Sequence, residues 1–381
     1  MPELLGERVF HYSIPVLQET GNGQEEDSAS IQSAKIVLKG GEVLVSRLNP
    51  RKGLVLRAQT HDVPTVASSE FVPLVPRSAE ADFVRYAFQA HYVRAYLSSR
   101  AQSATRSHQR CAVEVITRAP ILWPPLERQR VIVRFLDEET AEIDDLIEKK
   151  SHLHALLLEE ADAFLTLELW PDPLPDGWSM TPLMRLTQPS RPIMYGIVLP
   201  GPNVPEGVPL VKGGDVSNNR MHPNLLNKTT LEIEAPYARA RLSGGDVLLT
   251  IRGRYGDAAL VPEVMSGANI TQDIARIAPR PEIDSKWLLR VLQCQPIVRK
   301  MFNEALGAAV QGVNIRDVKR YQVPLLPPAE QGRLASEIDD RLTTIEEAAN
   351  SLAQATARLR EYRSALITAA VTGQIDVGSA A

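Results

Sequence analysis

Residues 124–150 read PPLERQRVIVRFLDEETAEIDDLIEKK, a proline pair followed by a long charged run without glycine or further proline. Such a run predicts one uninterrupted helix of many turns, preceded by the strand-like RAPILW of residues 118–123. A similar phrase returns at residues 323–347, VPLLPPAEQGRLASEIDDRLTTIEE, about 200 residues later. The sequence therefore predicts the same kind of long helix twice.

Both predicted helices carry an apolar heptad ladder. The ladders comprise Ile132, Leu136, Ile143, Leu146, Leu153, Leu157 and Phe164 in the first helix, and Ile338, Ile345, Leu352, Leu359 and Leu366 in the second. This period is typical of a coiled-coil seam. Each helix spans roughly 40 residues, or about 60 Å at 1.5 Å per residue. Since the first leads into the second half of the chain and the second leads back, we predict an antiparallel pair that separates two domains with approximate two-fold symmetry.

The rest of the chain is also repeated, with an offset near 204 residues. LKGGEVLVSRL from Leu38 matches LSGGDVLLTIR from Leu242, and VASSEFVPLVP from Val66 matches ITQDIARIAP from Ile270. Paired glycines before an apolar run predict a tight turn and a buried strand. Helical apolar spacing, a polar loop and the proline pair follow in the same order in each half. Each half is therefore predicted to be a mixed α+β domain followed by a long helix.

Composition describes an ordinary globular protein of two or three domains. The 381 residues are 44% hydrophobic and 23% charged, and single cores seldom exceed about 250–300 residues. The sequence shows no apolar run of membrane-spanning length and no secretory signal layout. Its two cysteines, Cys111 and Cys294, give neither a disulfide framework nor a cysteine metal site. We expect a cytoplasmic protein.

The net charge of −4 hides a partition along the chain. Residues 1–122 hold 14 Lys and Arg against 12 Asp and Glu, and residues 174–326 hold 18 against 13. The helical stretches are acidic, with 5 against 13 in residues 123–173 and 5 against 8 in residues 327–381. Local basic surface attracts phosphate more directly than net charge does, so the partition is compatible with nucleic-acid binding. The general abundance of Glu and Asp in helices also accounts for part of it.

These segments resemble the specificity subunit of Type I restriction–modification systems. The likeness covers nearly the whole chain; the proline-led helices, LREYRSALITAAVTGQIDV (residues 359–377) and LPDGWSMTPLMRL (residues 174–186) carry it best. It implies two target-recognition domains, mixed α/β with a curved sheet, which read the two halves of a split DNA target, the gap being set by the helices. It also implies that double-stranded DNA, two methyltransferase subunits and two restriction–translocation subunits are partners. The predicted boundaries are 1–122 and 170–326 for the domains, 123–169 and 327–374 for the helices, and 375–381 for a flexible tail.

The first half departs from this pattern at its start. The second half opens with LPDGWSMTPLMRL, whereas the first begins at MPELLGERVFHYSI and leaves little room for an equivalent segment. Either the first domain diverges there or the true start lies further upstream.

Motifs of catalysis are absent from the sequence. It contains no G-x-x-x-x-G-K-[ST] phosphate loop and no Asn-Pro-Pro-aromatic or Asp-Pro-Pro-Tyr motif. IRGRYGDAA (residues 251–259) has two glycines but no glycine-rich triplet, and the acids and lysines of IDDLIEKK (residues 143–150) fit a solvated helix face. Histidine spacing fits no metal site. We predict a non-catalytic chain without metal or cofactor; by the resemblance, S-adenosylmethionine, ATP and Mg²⁺ belong to the partner subunits.

DNA-binding candidates are polar side chains in loops beside glycines or strand ends. Arg reads guanine, Asn and Gln read adenine, and Asp and Glu read cytosine, while Lys and Arg also contact phosphates. The candidates in the first domain are Arg47, Asn49, Arg51, Lys52, Ser69, Glu70, Ser107, His108, Gln109 and Arg110. Those in the second are Lys212, Asn218, Asn219, Arg220, Arg252, Arg254, Tyr255, Gln272, Asp273, Gln311, Asn314, Arg316 and Lys319.

Other interpretations remain open at this stage. Arg316 and Asp317 would form a local ion pair in the simplest alternative, and Glu70 would be a structural residue at a strand edge. For the whole chain, the rivals are a coiled-coil scaffold with two adaptor domains and no DNA role, and an enzyme that acts by itself.

Overall fold

The computed structural model describes residues 7–105, 108–217, 220–306 and 312–378. The chain divides into two compact units. Unit 1 comprises residues 1–152 and 352–381, and unit 2 comprises residues 153–351. The division falls inside both long helices, so each unit contains a part of each.

Unit 1 contains two small sheets, a hairpin and short helices. Its strands are β1 (Arg8–Tyr12), β2 (Gln24–Asp27), β3 (Lys35–Leu38), β4 (Val43–Ser46), β5 (Val55–Arg57), β6 (Thr65–Ser68), β7 (Phe71–Leu74), β8 (Gln102–Thr105) and β9 (His108–Arg110). Its short helices are α1 (Ile14–Thr20), α2 (Ala81–Gln89), α3 (His91–Ser99) and α4 (Val113–Thr117). The strand orders are β2-β1-β6-β3 and β5-β4-β7, and β8 pairs with β9.

Unit 2 repeats this plan with additions. Its strands are β10 (Ser179–Pro182), β11 (Met194–Tyr195), β12 (Val208–Val211), β13 (Asn227–Thr229), β14 (Val247–Thr250), β15 (Ala258–Leu260), β16 (Asn269–Ile270), β17 (Ile274–Ile277) and β18 (Gln322–Leu325). Its short helices are α6 (Gly213–Ser217), α7 (Leu231–Glu234), α8 (Ser285–Gln293), α9 (Gln295–Leu306) and α10 (Ile315–Val318). The strand orders are β13-β12-β16, β11-β17-β14-β15 and β10-β18.

The tandem repeat predicted from the sequence is present in the strand pairing. β4 pairs antiparallel with β5 and β7, and β14 pairs antiparallel with β15 and β17. β1 runs parallel to β6, as β12 does to β16. Helices α2 and α3 follow in unit 1 where α8 and α9 follow in unit 2, with offsets of 200 to 204 residues between matched elements. The mixed α+β fold class is therefore confirmed.

The predicted strand at residues 118–123 is wrong. The matching stretch of unit 2 is strand β18 because it pairs with β10. Within the described part of unit 1 no strand lies beside residues 119–123, and they have no strand geometry. Leu122 and Trp123 are consequently exposed there. Similarly, β11 covers the edge of β17, whereas the corresponding edge of β7 has no partner strand among the described residues.

The two long helices are α5 (Leu126–Leu169) and α11 (Pro328–Thr372). They run antiparallel within each unit. In unit 1, the early part of α5 packs on the late part of α11 through Ile132, Leu136 and Ile367, and Asp144 pairs with Arg363 at 2.8 Å.

In unit 2, Leu165 of α5 shares a core with Ile338 of α11, and Glu160 pairs with Arg341 at 2.8 Å. The heptad ladder is buried towards its ends, at Ile132, Ile143 and Ile338 for example, but Leu146 and Leu153 are exposed. After α11, Ile375 and Val377 pack against the unit 1 helix core.

One buried glutamine in each unit joins the start of a long helix to the domain beside it. Gln129 accepts a hydrogen bond from the Glu80 backbone N–H (2.9 Å) and donates one to the Pro124 carbonyl (2.8 Å). Gln331 does the same with the Asp284 N–H (2.8 Å) and the Leu326 carbonyl (3.0 Å). Both side chains satisfy backbone groups that burial would otherwise leave unpaired.

The described helices include none that is both long enough and apolar enough to cross a membrane.

Candidate nucleic-acid interface

Three loops of unit 1 converge where strand β4 ends. The Arg47 N–H donates to the Glu70 carbonyl at 2.9 Å, and the Cys111 N–H donates to the Arg47 carbonyl at 2.9 Å. The chain after β4 is thereby held between the turn before β7 and the segment after β9. These loops contain the three predicted candidate stretches of the first domain, and we call the group Arg47, Asn49, Glu70, Gln109 and Arg110 cluster 1.

Asn49 fixes the hairpin against the loop. It adopts a left-handed backbone conformation (φ 50°), which Asn tolerates better than most residues. Its N–H donates to the Gln109 carbonyl at 2.7 Å, while its side-chain Oδ1 accepts from the Gln109 N–H at 3.2 Å. Asn49 is thus occupied in holding the loop.

Arg110 and Glu70 form the charged centre of cluster 1. The Arg110 Nη2 lies 2.8 Å from Glu70 Oε1, and its Nε donates to both carboxylate oxygens at 3.1 and 3.2 Å. The hydrogen bonds that Arg110 donates to Glu70 raise the pKa of Arg110. The Arg110 side chain is 55% exposed, and the outer edge of a guanidinium paired in this way keeps N–H donors for another acceptor. Glu70 therefore has a structural role, as the alternative interpretation proposed, and it also orients Arg110.

The remaining described candidates of unit 1 surround this pair. Arg51, Lys52 and Ser69 are exposed, and Lys52 Nζ donates to Gln18 at 3.1 Å. Arg47 is half-buried, and its Nε is enclosed without a hydrogen-bond partner in the described structure.

Unit 2 has the same pair of main-chain hydrogen bonds, at the end of strand β14, and we call this pair the backbone frame. The Ile251 N–H donates to the Asp273 carbonyl at 2.8 Å, and the Val313 N–H donates to the Ile251 carbonyl at 2.9 Å. Ile251, Asp273 and Val313 match Arg47, Glu70 and Cys111 with offsets of 204, 203 and 202 residues. The two loop sites are therefore equivalent positions of the repeat.

Four predicted candidates of unit 2 meet at this frame: Lys212, Arg252, Arg254 and Asp273, which we call cluster 2. They line a surface cavity of about 390 Å³ together with Gly213, Gly214, Thr250 and Gly253.

Glycine is required beside Arg252, because a Cβ on Gly312 would lie 2.8 Å from the Arg252 Cγ. The Arg252 side chain thus lies over Gly312, which is the position that matches Arg110 of unit 1. The Arg252 Nε is enclosed and has no hydrogen-bond partner among the described atoms. Three segments of unit 2, at residues 212–214, 250–254 and 273, thereby supply one basic, concave surface.

Other unit 2 candidates have visible structural partners. Arg254 pairs with Asp257 at 3.0 Å and remains 71% exposed, Tyr255 packs against the unit 2 core, and Gln272 is half-buried beside Asp273. Arg220 lies 3.7 Å from Asp215 and donates to the Leu225 carbonyl at 2.5 Å.

Asn314, Arg316 and Lys319 belong to α10 and its two caps, with Lys319 at the C-cap. Asn314 accepts a hydrogen bond from the Arg316 N–H at 2.9 Å and so caps the helix. Arg316 is exposed, and within the described residues no ion pair joins it to Asp317. The alternative interpretation of a local ion pair is therefore wrong.

Five candidates fall partly or wholly outside the described residues. Ser107, Asn218, Asn219 and Gln311 lie outside them, and for His108 only the backbone, in β9, is described. Among the described side chains, no three His, Cys, Asp or Glu lie together as a metal site.

Arg94 and Arg360 were missed by sequence reasoning. They line a basic cavity of unit 1 next to Lys52. The two arginines lie 266 residues apart in the sequence, so no local motif joins them.

The fold is similar to that of a solved chain from a type I restriction–modification (R-M) system. No family model matches the chain. One solved structure, described as the structural basis of complex assembly and conformational transition of the type I R-M system, is similar with a TM-score of 0.72 and 17% identity, over 98% of this chain and 94% of that chain. A crystal structure of the HsdS subunit from Thermoanaerobacter tengcongensis is similar with a TM-score of 0.47 and 18% identity, over 98% of this chain and 93% of that chain.

Among curated proteins, the chain is similar to the specificity subunit of the Type I restriction enzyme EcoBI from Escherichia coli. The identity is 25% over 312 residues, which is 76% of this chain and 65% of that protein. The match thus spans slightly less than two thirds of the relative. The family resemblance seen in the sequence is confirmed.

Proposed function

We propose that this chain is the DNA-recognition subunit of a Type I restriction–modification system. Cluster 1 reads one half of a split target and cluster 2 reads the other. The observation that carries the proposal is the repeated backbone frame. It presents Arg110, oriented by Glu70, in one unit and Arg252, above Gly312, in the other. A frame of main-chain hydrogen bonds with different base-reading side chains suits two half-sites of different sequence.

Partners and catalysis follow from the similarity to the EcoBI subunit. We propose two methyltransferase subunits and two restriction–translocation subunits as partners in the cytoplasm. S-adenosylmethionine, ATP and Mg²⁺ would bind to those partners, and this chain would catalyse nothing by itself. Leu146, Leu153, Leu156 and Leu158 are exposed on α5. Large apolar side chains grouped on one helix favour contact with another protein. The lengths of α5 and α11 would set the gap between half-sites.

Methylome sequencing with and without the gene tests this function. A bipartite methylated motif should be present only with the gene and an adjacent methyltransferase gene. Purified chain with S-adenosylmethionine, ATP and Mg²⁺ should leave unmethylated DNA unchanged. A scaffold without a DNA role would give the same methylome in both strains, and turnover by the purified chain would establish an enzyme instead.

A further inference from the structure

A second basic site lies in unit 1, beside cluster 1. A surface cavity of about 300 Å³ is formed by the turn after β4, helix α3 and the two long helices. Its charged lining consists of Lys52, Arg94, Arg360, Arg363 and Asp144. Four cations therefore face one carboxylate.

Only Arg363 is neutralised by that carboxylate. Its Nε lies 2.8 Å from Asp144 Oδ1, and its Nη2 donates to Oδ2 at 3.0 Å. Lys52 reaches only the neutral Gln18, at 3.1 Å. Arg360 is exposed and makes no ion pair with any described residue. The cavity thus retains positive charge that the described part of the chain does not balance.

Arg94 is held at the cavity wall by packing. Its Nη2 donates to Ser364 Oγ, while its Nε is enclosed without a hydrogen-bond partner in the described structure. Burial lowers the pKa of Arg94. Gly53 makes room for its stem, since a Cβ there would lie 2.5 Å from the Arg94 Cδ. A partly desolvated guanidinium next to uncompensated cations favours an anion as the missing partner.

Unit 2 lacks this charge although its backbone is the same. Gly256 matches Gly53 and approaches Val298, which occupies the position of Arg94. Gln293 donates to the Ala258 carbonyl (3.2 Å) as Gln89 donates to the Val55 carbonyl (3.0 Å).

At the other matched positions, unit 2 has Tyr255 in place of Lys52, Leu158 in place of Arg360 and Asp162 in place of Ser364. The offsets between these positions are 202 or 203 residues. The basic lining is therefore not required by the fold.

We propose that this cavity binds a backbone phosphate of DNA beside the half-site that cluster 1 reads, with Lys52, Arg94 and Arg360 as its ligands. The proposal rests on the proposed function. Lys52 lies three residues from Asn49 of cluster 1, so one loop serves both sites. A phosphate here adds affinity without adding sequence information. The phosphate site also extends the DNA that the chain contacts beyond the half-site that cluster 1 reads, and has no counterpart at the other half-site.

Arg360→Gln tests the site, because Arg360 is exposed and its replacement leaves the core intact. Arg358→Gln is the matched control, since Arg358 is exposed on the same helix and does not line the cavity. The full chain with its methyltransferase partners is titrated with a duplex carrying the methylated motif and with a scrambled duplex, at several NaCl concentrations.

Arg360→Gln should weaken binding of both duplexes by a similar factor, about threefold to tenfold at low salt, and should reduce the slope of log K against log[NaCl] by about 0.9. Arg358→Gln should leave the slope unchanged. An unchanged slope for Arg360→Gln, with specific wild-type binding, overturns the phosphate site but leaves the proposed function standing. Altered discrimination between the duplexes would show a base contact instead. Wild-type binding without preference for the motif would defeat the proposed function, whatever the variant does.

Discussion

Unit 1 and unit 2 share their main-chain hydrogen bonds but differ in the side chains placed on them. In unit 1 the turn before β7 meets the end of β4 through Glu70 and Arg47, at 2.9 Å. In unit 2 the turn before β17 meets the end of β14 through Asp273 and Ile251, at 2.8 Å. Because main-chain groups hold this frame, its side chains can change without loss of the fold. The arginine that we propose as a base reader is Arg110 of the hairpin in unit 1 and Arg252 of the loop after β14 in unit 2. Two different surfaces are thus obtained from one repeated backbone.

The largest expected effect comes from breaking the pairing of the long helices. Each unit joins α5 to α11, through Asp144 and Arg363 in unit 1 and through Glu160 and Arg341 in unit 2. A heptad inserted after Lys149 alone cannot leave both pairings in register. We expect loss of the folded chain or of its assembly with partners, measured by soluble yield and co-purification.

Insertion of a heptad into both helices, after Lys149 and after Ser351, is the matched control. It restores register and lengthens each helix by about 10 Å. The gap in the methylated motif should then grow by about two or three base pairs at ~3.4 Å each, with the half-sites unchanged. A folded, active double insertion with the original gap would show that the helices do not set the spacing.

The long helices and the repeat could be predicted because their signals are local. Heptad spacing, the Gly40–Gly41 turn and the proline pairs each lie within a few residues of sequence. The absence of a strand at residues 118–123 could not be predicted, since strand formation depends on a pairing segment far away in the chain. Gln129 and Gln331 were overlooked, although they follow the two proline pairs by four and three residues. Alignment of the two halves would have identified them.

The candidate site was predicted in its parts but not in its geometry. The stretches around Arg47, Glu70 and Arg110 were recognised by residue type, and the structure places them together. Which side chain would hold the loop and which would face outward depends on contacts across 40 to 60 residues. The sequence predicted Asn49 as a base-contacting residue, whereas its side chain accepts a hydrogen bond from the Gln109 N–H of the hairpin. Arg94 and Arg360 lack any local pattern that would pair them.

The next largest effect concerns the two buried glutamines. Gln331→Ala removes hydrogen bonds to the Asp284 N–H and the Leu326 carbonyl and leaves both backbone groups buried. We expect a loss of about 2–4 kcal/mol in the free energy of opening unit 2, measured by amide hydrogen exchange at α8. Gln129→Ala should cost a similar amount in unit 1. Gln354→Ala, at an exposed position of α11, should cost less than about 0.5 kcal/mol. A clear difference between Gln129→Ala and Gln331→Ala would break the equivalence of the two frames.

A smaller effect is expected on sequence discrimination. Arg110→Ala should relax one half of the methylated motif, and Arg252→Ala should relax the other. Each loss should be about 1–3 kcal/mol of discrimination, or roughly tenfold, measured with duplexes that carry one changed base. Glu70→Gln, which keeps an acceptor for Arg110, should have a smaller effect on the same half as Arg110→Ala. If Arg110→Ala and Arg252→Ala relaxed the same half, the assignment of one cluster to each half-site would be wrong.

The smallest expected effect is a difference in acid sensitivity between the units. Glu234 is buried in unit 2, where Arg241 donates to it at 2.6 and 2.7 Å and Asn269 at 2.9 Å. The hydrogen bonds from Arg241, helped by Asn269, hold the pKa of Glu234 below its ordinary value. Unit 1 has Thr65, which cannot donate from an amide, at the position that matches Asn269.

A carboxyl whose pKa is lowered by folding stabilises the folded state above its unfolded-state pKa, near 4.5, and this stabilisation is lost as the pH falls through the lower, folded-state value. Glu234→Gln removes the charge and keeps the shape, so wild-type unit 2 should be more stable than the variant at pH 7, by a margin that shrinks below about pH 4.5. Hydrogen exchange at β16 and α7, compared with β6 in unit 1, measures this margin. The same margin at pH 7 and pH 3.5 would show that the Arg241 pair contributes through its shape and not through its charge.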